Sequence, residues 1–187
     1  MGIIATMTSP SPVALIILDG WGIRERTSNN AVQQADTPNY DRWLATYERS
    51  ILDASGLAVG LPAGQMGNSE VGHLNLGAGR VVYQDIVRID RAIEDGSFFD
   101  NDALNQQFDA VSDSDNRCHI IGLLGSGGVH SHIRHLFGLL KLAQQRDVKP
   151  ILHLITDGRD TPPQSALSFL DELEAFLADT QIDAQIA

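Results

Sequence analysis

The sequence has little cysteine, little basic charge and no long apolar segment. Its single cysteine, Cys118, excludes an internal disulfide and is typical of a protein from a reducing compartment. Lys and Arg number 13 against 24 Asp and Glu, which gives a formal net charge of -11. A nucleic-acid partner would usually require a basic face, and no apolar stretch approaches the ~20 residues that span a bilayer. The composition therefore predicts a cytoplasmic protein with no nucleic-acid partner and no membrane partner.

The chain is long enough to bury a core. It has 187 residues, of which 43% are hydrophobic, so it can hold one core and parts of two domains. Apolar runs alternate with stretches of helical periodicity, which predicts an α/β fold with a parallel sheet. Buried strands are predicted at residues 13–18, 118–124 and 150–156, with a short strand near 51–54. Helices are predicted from residue 38, where Tyr40, Trp43, Leu44 and Tyr47 would face the core, and near 86–95, 104–111, 133–140 and 161–177.

Asp19 directly follows the first predicted strand. Ligands of open α/β sheets bind beyond the carboxyl ends of strands, so this carboxylate is expected at a site of chemistry. A carboxylate there can ligate a hard divalent cation.

Ser69 lies in a glycine-rich segment, residues 64–73, just before a predicted helix. A serine hydroxyl becomes a nucleophile only when a base or a metal activates it, and the alternative is that Ser69 merely caps the helix. The segment lacks the Gly-Lys-Ser/Thr of a nucleotide-binding P-loop, so its glycines indicate close backbone approach and positive φ angles. A cation held by Asp19 and Ser69 would activate the hydroxyl. His73, one turn further on, is more often a hydrogen-bonded residue than a ligand.

Residues 125–132 form a glycine-containing loop between a predicted strand and a helix, where an anion can bind. Its histidines, together with His135, raise the alternative of a zinc site. The spacings of His130, His132 and His135 differ from the known zinc motifs, which makes that alternative the weaker one.

A second loop, residues 157–163, repeats the pattern of a strand followed by Asp-Gly. Arg159 offers a planar guanidinium for a phosphate or carboxylate, and Asp160 can orient it or accept a bond from a substrate hydroxyl. The alternative is a surface ion pair between these two side chains.

Taken together, four motifs resemble the 2,3-bisphosphoglycerate-independent phosphoglycerate mutases, which belong to the alkaline phosphatase superfamily. They are Leu-Asp-Gly-Trp-Gly, Gly-Asn-Ser-Glu-Val-Gly-His, Gly-Gly-Val-His-Ser-His and Thr-Asp-Gly-Arg-Asp-Thr-Pro-Pro, at residues 18–22, 67–73, 127–132 and 156–163. The resemblance implies a metal-dependent isomerase of glycolysis and gluconeogenesis that interconverts 3-phosphoglycerate and 2-phosphoglycerate through a phosphoserine.

The resemblance also implies roles for individual residues. Ser69 is the catalytic nucleophile and, with Asp19, a metal ligand, whereas His130, Arg159 and Asp160 bind substrate. The complete enzyme is expected to hold two Mn2+ ions, with other divalent ions possible, to need no 2,3-bisphosphoglycerate, and to act as a monomer.

The same resemblance predicts how the chain is divided. Residues 1–84 would be the N-terminal portion of a metal-binding phosphatase-like domain. Residues 85–187 would be the first part of an inserted α/β phosphotransferase domain that binds substrate. The chain is then an incomplete and inactive part of the enzyme. Two alternatives stay open: a metal-dependent phosphatase or sulfatase-like hydrolase of the same superfamily, and a non-catalytic α/β fragment.

Overall fold

The computed structural model describes residues 11–114 and 116–187. The chain divides into two compact units, Met1–Leu52 and Asp53–Ala187. In the first unit, the residues that the structure describes begin at residue 11. Within the described ranges, no helix has both the length and the apolar character needed to cross a membrane. The predicted domain division between residues 84 and 85 stays a prediction.

The first unit contains two helices, α1 (Ala31–Gln34) and α2 (Pro38–Thr46), in its described part. The predicted strands at residues 13–18 and 51–54 are wrong, because neither segment has β structure. The apolar side chains of the first segment are largely in solvent, with Leu15 73% and Ile16 79% exposed. A doubly buried strand requires hydrogen-bonded neighbours, and no segment described in this unit is a strand.

Helix α2 begins with proline at its first position, as predicted, and Thr37 is the residue before it. Its apolar face was expected in the core, and that expectation is wrong. Trp43 is 52% exposed, and no residue of α2 is buried. Tyr40 does make an aromatic contact, packing edge-on against Trp21 with ring centroids 5.2 Å apart.

In its described part, the second unit carries eight further α-helices and strands: three helices come first, and a βαβαβ order follows. They are α3 (Ser69–Ala78), α4 (Asp85–Asp95), α5 (Asp102–Ser112), β1 (His119–Leu124), α6 (Ile133–Gln145), β2 (Ile151–Thr156), α7 (Ala166–Thr180) and β3 (Gln185–Ile186). Two short 3-10 helices occupy Gly56–Val59 and Ser97–Asp100. Predictions for α4, α5, β1, α6 and β2 are confirmed, and α7 begins a few residues after its predicted start.

The three strands form a parallel sheet in the order β1, β2, β3. Its register pairs His119 with Ile151 at one end and Leu124 with Thr156 at the other. The strands β1 and β2 therefore end level with each other. Their following loops, which carry the candidate site residues, leave the sheet from the same edge.

Helices α6 and α7 cover one face of the sheet. Leu140, Leu152 and Leu173 are fully buried there, and the rings of Phe137 and Phe176 stack with centroids 4.0 Å apart. The opposite face is open, as the 68% exposure of Ile121 on β1 and the 51% exposure of Ile155 on β2 indicate. The expectation of strands buried on both faces is therefore wrong for these two strands.

Candidate functional site

Ser69 is the first residue of α3, and the residue before it is the cap. The side-chain oxygen of Asn68 accepts the backbone N–H of Val71 at 3.0 Å, which satisfies a first-turn donor. The alternative in which Ser69 itself caps the helix is thereby excluded. The hydroxyl of Ser69 is exposed at the positive end of a ten-residue helix. Negative charge is stabilised at that end of a helix.

His73 lies one turn along α3 and contacts Ser69 twice. Its Nδ1 is 3.1 Å from the Ser69 Oγ and 2.8 Å from the Ser69 carbonyl oxygen. As an N–H, Nδ1 donates to the carbonyl, and as a bare nitrogen it accepts from the hydroxyl. The prediction that His73 is a hydrogen-bonded residue is confirmed.

Gly67 holds the start of α3 against another part of the backbone. A Cβ at this position would lie 1.7 Å from the carbonyl oxygen of Ala54, so only glycine fits without movement. The predicted close backbone approach in the glycine-rich segment is confirmed here. It fixes the position from which Asn68 and Ser69 begin the helix.

The loops after β1 and β2 meet through His130 and Asp160. Nδ1 of His130 is 2.6 Å from Oδ2 of Asp160. The His130 side chain is 58% exposed and that of Asp160 only 13%. The carboxylate thus orients an imidazole whose outer edge faces solvent. Two residues that the sequence predicted as substrate ligands are brought together.

Asp157 shapes the second loop and is a residue that the sequence prediction missed. Its Oδ1 accepts the backbone N–H of Arg159 at 2.8 Å and of Asp160 at 3.2 Å. The pKa of the Asp157 carboxyl lies below its usual value, chiefly because the Arg159 N–H donates to it. The Asp160 N–H and the nearby His130 lower this pKa less strongly, and partial desolvation opposes the shift. Thr161, which is buried, donates its hydroxyl to the Asp157 carbonyl at 2.9 Å. In the sequence, the Asp-Gly dipeptide is the feature from which this turn could have been predicted.

Arg159 lies on the outside of that turn with an exposed side chain. The carboxylate of Asp160 has His130 as its partner. The observed pair therefore joins the two loops, unlike the alternative of a surface ion pair between Arg159 and Asp160. The turn holds the backbone N–H of Arg159.

Gly127 lets the two loops touch. A Cβ added to it would lie 2.7 Å from the Cβ and 2.9 Å from the carbonyl oxygen of Asp160. Ser131 secures the same loop to the strand, because its hydroxyl donates to the Leu123 carbonyl at 2.8 Å. Neither contact was predicted, since each depends on which segments meet in the fold.

His132 and His135 have structural partners. His132 is the cap of α6, where its Nδ1 accepts the Arg134 N–H at 3.2 Å. Burial, followed by the charge of Arg134, lowers the pKa of His132. His135 Nε2 lies 3.0 Å from Oδ1 of Asp90 on α4. No group of three or more potential ligands for a metal occurs in the described ranges.

Asp19 lies in the first unit at a tight turn. The backbone N–H of Trp21 donates to the Leu18 carbonyl at 3.1 Å, and Gly20 has a φ of 78°. The Asp19 carboxylate is exposed. The prediction that Asp19 and Ser69 share one cation stays a prediction.

The chain is similar in sequence to proteins of one known family. The family model described as the N-terminus of BPG-independent PGAM matches residues 89–187. The chain is 58% identical over 168 residues to 2,3-bisphosphoglycerate-independent phosphoglycerate mutase of Hydrogenovibrio crunogenus, covering 90% of the chain and 32% of that protein. It is 53% identical to the Listeria innocua protein of the same name, covering 94% and 35%.

A solved structure agrees with these matches. The crystal structure of Leishmania mexicana phosphoglycerate mutase at low cobalt concentration superposes with a TM-score of 0.61 at 37% identity. The superposition covers 91% of this chain and 32% of that one. The chain therefore spans about a third of the length of the relatives that it matches.

Proposed function

The chain belongs to the 2,3-bisphosphoglycerate-independent phosphoglycerate mutases, whose N-terminal family model covers residues 89–187, and on that premise we propose its part in the reaction. In a full-length enzyme that carries this segment, 3-phosphoglycerate and 2-phosphoglycerate are interconverted by intramolecular phosphoryl transfer in glycolysis and gluconeogenesis. Ser69 accepts the phosphoryl group and returns it. The family name supports independence from 2,3-bisphosphoglycerate.

One observation carries the proposal: the loops after β1 and β2 meet, with His130 2.6 Å from Asp160. The guanidinium of Arg159 supplies local positive charge on a chain whose net charge is -11, and the exposed imidazole of His130 offers a hydrogen-bonding group beside it. That charge suits the carboxylate and phosphate of a phosphoglycerate. The Asp160 carboxylate can in addition accept a hydrogen bond from a substrate hydroxyl.

In the first transfer, the Ser69 oxygen forms a bond to phosphorus and the bond from phosphorus to the glycerate oxygen breaks. The serine proton is replaced by the phosphoryl group, and the glycerate regains a hydroxyl. The helix N-terminus at Ser69 stabilises the added negative charge. While the glycerate turns round, His130, Arg159 and Asp160 retain it, and the second transfer reverses these bond changes at the neighbouring hydroxyl.

The donors in this chain suit Mn2+ in kind but not in number. Asp19 and Ser69 offer hard oxygen ligands, whereas such an ion takes about six donors. The described ranges contain no cluster of three or more His, Cys, Asp or Glu able to hold a metal. The two Mn2+ ions therefore remain an expectation from the resemblance, and the transfer above is written without them. Action in the cytoplasm as a monomer is part of the same expectation.

Substitution of Ser69 tests the proposal. In a full-length enzyme carrying this segment, Ser69→Ala should abolish mutase turnover and the acid-stable phosphoserine that brief incubation with substrate produces. Ser168→Ala removes an exposed hydroxyl on α7 and is the matched control, with activity retained. Appreciable turnover by Ser69→Ala would end the scheme. Release of phosphate from unrelated esters without isomerisation would instead identify a hydrolase.

A further inference from the structure

Two histidines meet on the open face of the sheet. His119 begins β1 and His153 lies within β2. The parallel register pairs His119 with Ile151 and Ile121 with His153, so the two histidines lie diagonally across neighbouring strands. Nδ1 of His119 is 2.8 Å from Nε2 of His153.

The imidazoles face each other edge to edge. Their planes differ by 19°, with ring centroids 5.1 Å apart. Because each nitrogen sits at the ring edge, this arrangement is one N–H···N hydrogen bond in which one ring donates and the other accepts. Ile121 and Ile155 on the same face are 68% and 51% exposed, so solvent and small solutes reach this side of the sheet.

We propose that His119 and His153 together chelate a late first-row divalent cation, with Cu2+ held most tightly. Bonds from imidazole nitrogen to such ions are about 2.0–2.1 Å, so two ligands at about 90° have nitrogens about 2.9 Å apart. The observed separation of 2.8 Å matches that requirement. Water completes the coordination shell on the open side.

Binding requires a rearrangement of the two rings. The ring that donates moves its hydrogen to its other nitrogen, and both rings turn so that their lone pairs converge on the ion. The backbone stays fixed by the ladder between β1 and β2. Two ligands held on one rigid surface bind as a chelate, because the second imidazole meets the ion at a high effective concentration.

The ligand type predicts which ions bind. Imidazole nitrogen binds Cu2+ more tightly than Ni2+ or Zn2+. Mn2+ has the lowest affinity of this series, and Mg2+ prefers oxygen ligands. The His119 and His153 pair is therefore expected to respond to Cu2+ and to ignore Mg2+.

Calorimetric titration of the 187-residue chain with CuCl2, in a buffer containing a weak competing chelator, tests the site. One equivalent of Cu2+ should bind, and His119→Asn and His153→Asn should each weaken its affinity about tenfold or more, because one remaining imidazole has no chelate effect. His73→Asn removes an imidazole elsewhere and is the matched control, with affinity unchanged. Equal affinity in the three variants and the wild type, or no binding by the wild type, would overturn the proposal.

A spectroscopic measurement keeps the test decisive if either variant is poorly folded by circular dichroism. The electron paramagnetic resonance spectrum of the wild-type chain with one equivalent of Cu2+ should show superhyperfine coupling to two imidazole nitrogens. A spectrum without nitrogen coupling would show that the ion binds elsewhere.

Discussion

Gly127 and Asp160 are in contact across the two site loops, so close that a Cβ on Gly127 would lie 2.7 Å from the Cβ of Asp160. Gly127→Ala must therefore push one loop away from the other. Overpacking of this kind costs about 1–3 kcal/mol of unfolding free energy. Urea denaturation of the chain measures that loss.

Gly158→Ala is the control for this prediction. It lies in the same loop as Asp160, and a Cβ there would meet nothing within 4 Å. Its effect on the urea midpoint should be much smaller. Equal destabilisation by the two substitutions would contradict the close packing of the loops.

The His130 and Asp160 pair is expected to bind substrate as a unit. Loss of a charge-assisted hydrogen bond costs about 1.5–3 kcal/mol, so Asp160→Ala should weaken 3-phosphoglycerate binding to a full-length enzyme about tenfold or more. Isothermal titration calorimetry gives the dissociation constant, and Asp171→Ala on the exposed side of α7 is the control.

A double-mutant cycle sharpens that prediction. Because Nδ1 of His130 and Oδ2 of Asp160 are hydrogen-bonded at 2.6 Å, the effect of changing both to alanine should be less than the sum of the single effects. Full additivity would mean that the two side chains act independently on the substrate.

Because of His132, we expect the folded chain to become less stable in acid. Burial lowers its pKa in the folded chain below the value of about 6.5 expected when unfolded. The unfolded chain then binds a proton at His132 more readily than the folded chain does. The part of the unfolding free energy that depends on an uncharged His132 is therefore fully present above about pH 6.5 and is lost as the pH falls below it. Urea midpoints measured at pH 7.5 and pH 5.5 should show the decline.

His132→Asn isolates this residue from other titrating groups. Asparagine is a good cap for α6 but does not titrate in this range. The variant should lose less stability than the wild type between the two pH values. An identical pH dependence in both proteins would exclude His132 as a source of the effect.

Asn68 is expected to matter both for stability and for the reaction. Asn68→Ala removes the cap of α3 and should cost about 1 kcal/mol of unfolding free energy. Asn101, which caps α5 by accepting the Leu104 N–H at 3.0 Å, offers a matched comparison. Both alanine variants should be destabilised, but only Asn68→Ala should slow phosphorylation of Ser69 in a full-length enzyme. Equal rates in the two variants would contradict a role for the cap in orienting Ser69.

The sequence patterns predicted the second unit better than the first. Apolar periodicity located α4 and α6 because each has an apolar face that packs against other elements of the same unit. The apolar run at residues 13–18 has the composition of a buried strand, yet strand formation depends on partners that composition does not specify. Trp43 is exposed for a similar reason, since a helical face is buried only where another element covers it.

The candidate site was predictable in its residue types and not in its contacts. Glycine, histidine and arginine after strand ends indicated an anion site, and the fold brings His130 and Asp160 together. The approach of Gly127 to Asp160 depends on two backbone segments that are far apart in the sequence. Patterns within one segment contain no information on such distances.

Because β1 and β2 end level with each other, the protein tolerates exchanges of side chains in these strands better than deletions. The spacing between the two site loops is set by backbone hydrogen bonds in a register from His119–Ile151 to Leu124–Thr156. Exchanging one strand side chain for another of similar size leaves that ladder in place. Deleting a single residue from either strand would slide one loop past the other by about 3.3 Å, which separates an imidazole from its carboxylate even when every site residue is still present.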